Sequence, residues 1–260
     1  MAGFFGRLSK ANRANESSLP GYLRTHPVTT SRIADALGRA DDFGARQRPG
    51  NLRFYLAQAK LREQSFNRPE KSLAAFRASI KQGRYRNETA EHYGYALSLL
   101  RSGLLDEAKS ESRQLLAEHP SLAELIVLDA RIDQRQGKGA QAVEHLRQAV
   151  DLSPGNWALR VAYADMLMET NQPKRAMSEL EQVARLRPGN AMVYEMLTRA
   201  AIKSGDAGAT HRYRAERLYA EGDLEPAIRQ LEFALRQRGL PYHDAAQLQV
   251  LLEGMKAVAA

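Results

Sequence analysis

The 260-residue chain is 43% hydrophobic and only 7% aromatic; it has enough apolar content to fill a core, and its good helix formers and scarce β-branched runs argue against sheet. It contains no cysteine, which excludes disulfides and thiolate metal sites, and no apolar run reaches the roughly 18 residues that a membrane-spanning helix needs. The net charge of +8 is uneven: residues 1–86 hold 17 Lys+Arg against 6 Asp+Glu, and residues 87–260 hold 21 against 24, so any electrostatic attraction for anionic surfaces belongs to the N-terminal third.

In chain order, residues 1–50 stand apart as a partly mobile segment. Phe4, Phe5 and Leu8 make a short amphipathic start, and Asn12 to Leu19 is polar. Thr29, Thr30 or Ser31 caps a helix with Ile33, Ala36 and Leu37 on one face, and Arg46 to Asn51 reads as a linker. Residues 51–88 follow as an imperfect helix pair, Leu52 to Arg62 and Glu70 to Gln82, with Phe76 as its large residue.

From residue 89 the chain repeats itself. Pro120, Pro154 and Pro188 fall 34 residues apart, and so do Ala108, Ala142 and Ala176, each 12 residues before its proline. In 89–122, Tyr95, Ala96 and Leu99 share one helical stripe, Gly103 ends that helix and Asp106-Glu107-Ala108 opens the next. Ala130, Gly137, Ala142, Leu146 and Ala149 fill these slots in 123–156, and Tyr163, Ala164, Leu167, Asn171, Ala176 and Leu180 do so in 157–190. This is the tetratricopeptide period, two antiparallel helices per unit. Alanines let crossing helices approach closely, Gly103, Gly137 and Asn171 supply left-handed helix ends, and the prolines stop each second helix. The register then jumps by half a repeat, predicting a shortened unit at 191–207, a final pair at 208–238 and a closing helix at 241–258. The expected fold of 51–260 is an all-α, right-handed tetratricopeptide superhelix.

Autonomous catalysis is not expected. His92, His119, His145, His211 and His243 are scattered over different repeats without ligand spacing, and no Gly-x-Ser-x-Gly elbow or phosphate loop occurs. The informative surface is the concave face of the first helices. Its expected residues are Tyr93, Leu97 and Arg101; Val127, Arg131, Gln134 and Arg135; Val161, Asp165 and Met168; and Glu195, Arg199 and Lys203. Arginines hold carboxylates bidentately, while Tyr93, Leu97 and Met168 offer apolar contacts to a peptide or extended strand. Ordinary solvated helix positions are the alternative reading of the same residues.

Tyr22-Leu23-Arg24-Thr25-His26-Pro27, followed by Ser31-Arg32-Ile33-Ala34-Asp35, resembles the end of the catalytic domain in zinc metallopeptidases of the BepA type. In that family, periplasmic β-barrel assembly-enhancing proteases, a protease domain precedes a tetratricopeptide domain. The resemblance continues through Phe54-Tyr55-Leu56-Ala57-Gln58-Ala59 and Tyr93-Gly94-Tyr95-Ala96-Leu97 to Leu224-Glu225-Pro226-Ala227-Ile228. Such enzymes carry His-Glu-x-x-His, whereas here no histidine is followed by glutamate and no two of the six are separated by three residues. The resemblance therefore implies the C-terminal tetratricopeptide portion without the catalytic core, and Met1 would be an internal or introduced start. It implies no cofactor on this chain, zinc belonging to the full-length parent, where His26 would be an extra ligand near the cleft.

It further implies a periplasmic location and polypeptide partners, among them unfolded outer-membrane proteins or barrel-assembly components, with a role in recruiting substrates or docking. A cytoplasmic tetratricopeptide adaptor is the alternative. A nucleic-acid or anionic-membrane module is favoured least, because the basic residues are not interleaved with stacking aromatics. Nucleic acid is thus not an expected partner, peripheral membrane association stays open, and the sequence sets no oligomeric state.

Overall fold

The computed structural model describes Gly38, residues 50–237 and residues 239–259. The expectations for the first 49 residues, His26 among them, otherwise lie outside the described residues. Residues from Leu52 onward form one compact unit, with twelve α-helices and no strand among the described residues. These are α1 (Leu52–Gln64), α2 (Pro69–Gln82), α3 (Glu88–Arg101), α4 (Leu105–Glu118), α5 (Ala123–Arg135), α6 (Gly139–Leu152), α7 (Trp157–Glu169), α8 (Pro173–Leu186), α9 (Ala191–Ser204), α10 (Ala207–Glu221), α11 (Leu224–Leu235) and α12 (Tyr242–Ala259).

The turns inside the pairs are made the same way each time. Gly103, Gly137, Asn171 and Gly205, at 34-residue intervals, all take positive φ, between 59° and 80°. Beyond each, an amide reaches back to close the helix end: Leu104 N to Leu99 O at 3.0 Å, Lys138 N to Asp133 O at 2.8 Å, Gln172 N to Leu167 O at 2.7 Å and Asp206 N to Ala201 O at 3.0 Å. That is the Schellman motif, which needs a left-handed residue where the chain leaves the helix. At the other end, asparagines accept bonds from the first helical amides, Asn87 from Ala90 N, Asn156 from Leu159 N and Asn190 from Met192 N and Val193 N. Such short connections force neighbouring helices antiparallel.

The alanine series sits where the axes cross. Ala108, Ala142 and Ala176 on the second helices, and Ala96, Ala130 and Ala164 on the first, are all 0% exposed. Around them the buried core divides into three clusters that meet on shared helices, α5 and α10. Leu125, Leu128 and Ile132 of α5 pack towards α1–α4, whereas Ala123, Ile126 and Ala130 of the same helix join the cluster reaching to α10. A helix buried on two faces is what a stack of pairs requires. The result is an all-α tetratricopeptide superhelix.

The two ends depart from this pattern. α1 and α2 each pack on α3 rather than chiefly on one another, and α10 packs against both α9 and α11. Gly205 and Gly222, 17 residues apart and both with positive φ, end α9 and α10. A single 15-residue helix, α10, thus closes one pair and opens the next. α11 and α12 complete the unit through Leu231, Leu248, Leu252 and Met255.

Candidate polypeptide-binding groove

Five first helices, α1, α3, α5, α7 and α9, line one open cavity of about 930 Å³. Repetition builds it. Tyr93, Val127, Val161 and Glu195 fall 34 residues apart, and Leu97, Arg131, Asp165 and Arg199, one helical turn on, form a second row. Residues four apart on a helix share a face, so the four pairs face one hollow. Leu56 and Lys60 add the equivalent pair from α1, and Trp157, Met192 and Met196 widen the apolar surface.

Charge is distributed unevenly over this surface. Arg131 lies 3.7 Å from Asp165 and Arg53 3.7 Å from Glu124, and Arg217 of α10, outside the lining, lies 3.3 Å from Glu195. Burial, reinforced by Glu124 and opposed by Arg131, pushes the Tyr93 phenol up to about 12. Partial burial, together with the neighbouring Asp165 carboxylate, raises the Glu169 carboxyl above its ordinary range, against the pull of Arg131 and Arg135.

The other expected site residues sit outside this cavity. Arg101 closes the seam between α1 and α3, donating from Nη1 to Glu63 Oε1 at 3.1 Å, Glu63 O at 3.3 Å and Phe66 O at 3.0 Å. Lys203 donates to the Met168 carbonyl at 2.6 Å, joining α9 to the end of α7. Gln134 is half-buried and Arg135 exposed. Arg101→Ala should cost about 1–2 kcal/mol, because the buried Glu63 loses its partner. Amide exchange along Leu52–Gln64 should speed up in that variant, and unchanged exchange there would assign Arg101 no part in holding α1.

Sequence reasoning missed Trp157, the chain's one tryptophan. It is the first residue of α7 and so escapes a rule based on mid-helix registers, yet it is half-buried on the cavity wall with the Arg187 guanidinium 5.3 Å from its ring centroid. Its signal was its rarity. A second constellation was also missed. Asp129, Asp133 and His145 bring ligand-type atoms within 4.8 Å of one another. The Lys109 ammonium, however, lies 2.9 Å from Asp129 and 2.7 Å from Asp133, the latter an ion pair without hydrogen-bond geometry. The cation between these carboxylates is the chain's own.

Comparison with known proteins fits this architecture. The family model "Tetratricopeptide repeat" matches residues 134–200. The Beta-barrel assembly-enhancing protease of Escherichia coli (strain K12) is 28% identical over 218 residues, 84% of this chain and 45% of that protein. The protein of the same name from Yersinia pestis is 27% identical over 229 residues, 88% of this chain and 47% of its own length. The solved structure of YrrB, a TPR protein with an unusual peptide-binding site, aligns with a TM-score of 0.43 and 17% identity over 68% of this chain and 90% of that one. No described helix is long and apolar enough to cross a membrane. The chain thus has a tetratricopeptide-repeat fold and is similar in sequence to the beta-barrel assembly-enhancing proteases, and it spans about half the length of the relatives it matches.

Proposed function

We propose that this chain is the protein-binding scaffold of a periplasmic zinc metalloprotease system, its groove taking up extended polypeptide segments. On this reading it recruits unfolded outer-membrane proteins or docks to components of the outer-membrane barrel-assembly machinery. The observation that carries it is the pair of 34-residue rows, which set a mainly apolar line (Tyr93, Val127, Val161) beside a mainly charged one (Arg131, Asp165, Arg199) along one hollow shared by five helices. Such a surface suits a chain segment better than a small molecule, because it is long, open and lined by both kinds of contact. The names of the relatives supply the barrel-assembly context. The peptidase chemistry belongs to a zinc domain, since this chain's histidines do not form the His-Glu-x-x-His motif.

A photo-crosslinking amino acid at Val127 or Val161 should capture an unfolded outer-membrane barrel precursor, whereas the same group at Arg113, exposed on α4, should not. Equal capture at all three positions, or none at Val127 and Val161, would reject the groove as the binding surface.

A further inference from the structure

We propose that the groove selects extended segments in which an apolar stretch carries a carboxylate at each end, one held by Lys60 and the other by Arg199. This rests on the groove being the polypeptide site and adds the chemistry of what it accepts. Four cations line the cavity, Arg53, Lys60, Arg131 and Arg199, together with three carboxylates, Glu124, Asp165 and Glu195. Every one of those carboxylates already has an arginine within 4 Å, Arg53 at Glu124, Arg131 at Asp165 and Arg217 at Glu195. Among the described residues, Lys60 and Arg199 make no hydrogen bond or ion pair, and both are exposed. Arg217 also bonds Glu221 at 2.8 Å, so the cavity lining carries an excess of one positive charge, with Lys60 and Arg199 as its two cations that hold no carboxylate among the described residues.

Their placement sets the spacing. Lys60 belongs to α1 and Arg199 to α9, the first and last helices of the row. Four helix-to-helix steps separate them, each roughly 8–10 Å. Allowing for the inward curve, that is on the order of 30 Å, which an extended chain at about 3.3 Å per residue covers with roughly ten residues. Between the two cations Tyr93, Leu97, Val127, Val161 and Met196 form an apolar strip beside the Arg131–Asp165 ion pair, whose charges offset one another, and that strip rewards apolar side chains in the middle of the segment. A lysine at either end of the ligand would instead meet a like charge.

The chain carries its own reporter, because its sole tryptophan, Trp157, lines the cavity. Three end-blocked peptides of about twelve residues share a β-prone apolar and threonine centre and carry Asp, Asn or Lys at both ends, the length following from the extended rise. Titration of the full chain should be followed by Trp157 emission and by calorimetry. The Asp-ended peptide should bind about ten-fold more tightly than the Asn-ended one, as two partly exposed charge contacts allow. That advantage should shrink as salt rises. In the K60E/R199E double variant, whose changes are both on exposed positions, the melting temperature should hold and the preference should pass to the Lys-ended peptide. Equal affinity of the Asp- and Asn-ended peptides for the wild-type chain overturns the charge rule and leaves the groove standing, as does a double variant that keeps the original preference. Absence of binding by all three peptides overturns both this inference and the groove on which it rests.

Discussion

Lys109→Met should remove roughly 3–5 kcal/mol of stability, the loss expected when one partner of a buried ionic network is deleted. Lys109 is buried on α4, and its ammonium lies between Asp129 and Asp133, one helical turn apart on α5. Asp129 also accepts from Ser112 Oγ at 3.1 Å and has His145 Nδ1 at 3.5 Å. Methionine fills much the same space as lysine. The loss is therefore electrostatic: two carboxylates left in a dry seam without the cation that offsets their desolvation. Denaturant unfolding measures it. Replacing the network as a whole, with Asp129→Leu and Asp133→Leu added to Lys109→Met, should recover most of the loss, because apolar groups of similar volume carry no such penalty. A single-variant loss below about 1 kcal/mol would mean that water reaches the seam and the three groups behave as a surface ion pair. The consequence for the groove is direct. Asp129 and Asp133 lie two residues on from Val127 and Arg131, about 200° round the helix, so the network holds the back of the helix whose front lines the cavity.

How much of this could be read in advance differs between the fold and the site. The left-handed turns at Gly103, Gly137 and Asn171, the buried alanines and the helix-ending prolines were all legible, because each is a local demand that recurs at a fixed interval. The Lys109 network was not. Nothing in a one-dimensional pattern joins residue 109 to residues 129 and 133. Only the packing of α4 on α5 does so. Within the groove, the registers nearest mid-helix, Tyr93, Leu97, Val127, Arg131, Asp165, Glu195 and Arg199, converge on the cavity. A turn further along, the curved wall gives way to seams between helices, where Arg101 and Lys203 find backbone carbonyls on neighbouring elements. Periodicity specifies a face but not where along the helix that face stops being free.

Gly94→Ala should destabilise the chain by roughly 1–3 kcal/mol, although alanine is the better helix former by about 1 kcal/mol. The conflict is decided by Phe76. A Cβ at position 94 would lie 2.2 Å from Phe76 Cε1 and 2.5 Å from its Cζ, far inside the roughly 3.5–4.0 Å at which carbon atoms rest against one another. The ring has little freedom to withdraw. Phe76 is 0% exposed, and the Arg62 guanidinium lies 4.3 Å from its centroid. That guanidinium is itself fixed by hydrogen bonds of 2.9 and 3.0 Å to Glu91. Beside it, Ser72 and Ser98 bond side chain to side chain at 2.7 Å, setting the distance between α2 and α3. Adding Phe76→Leu should make the double variant less destabilised than the sum of the two single ones, since the shorter side chain vacates the space the new methyl needs. If Gly94→Ala melts at or above the wild-type temperature, α2 yields freely. The close approach of the two helices at Gly94 would then have no part in setting α3, whose neighbouring Tyr93 and Leu97 line the groove.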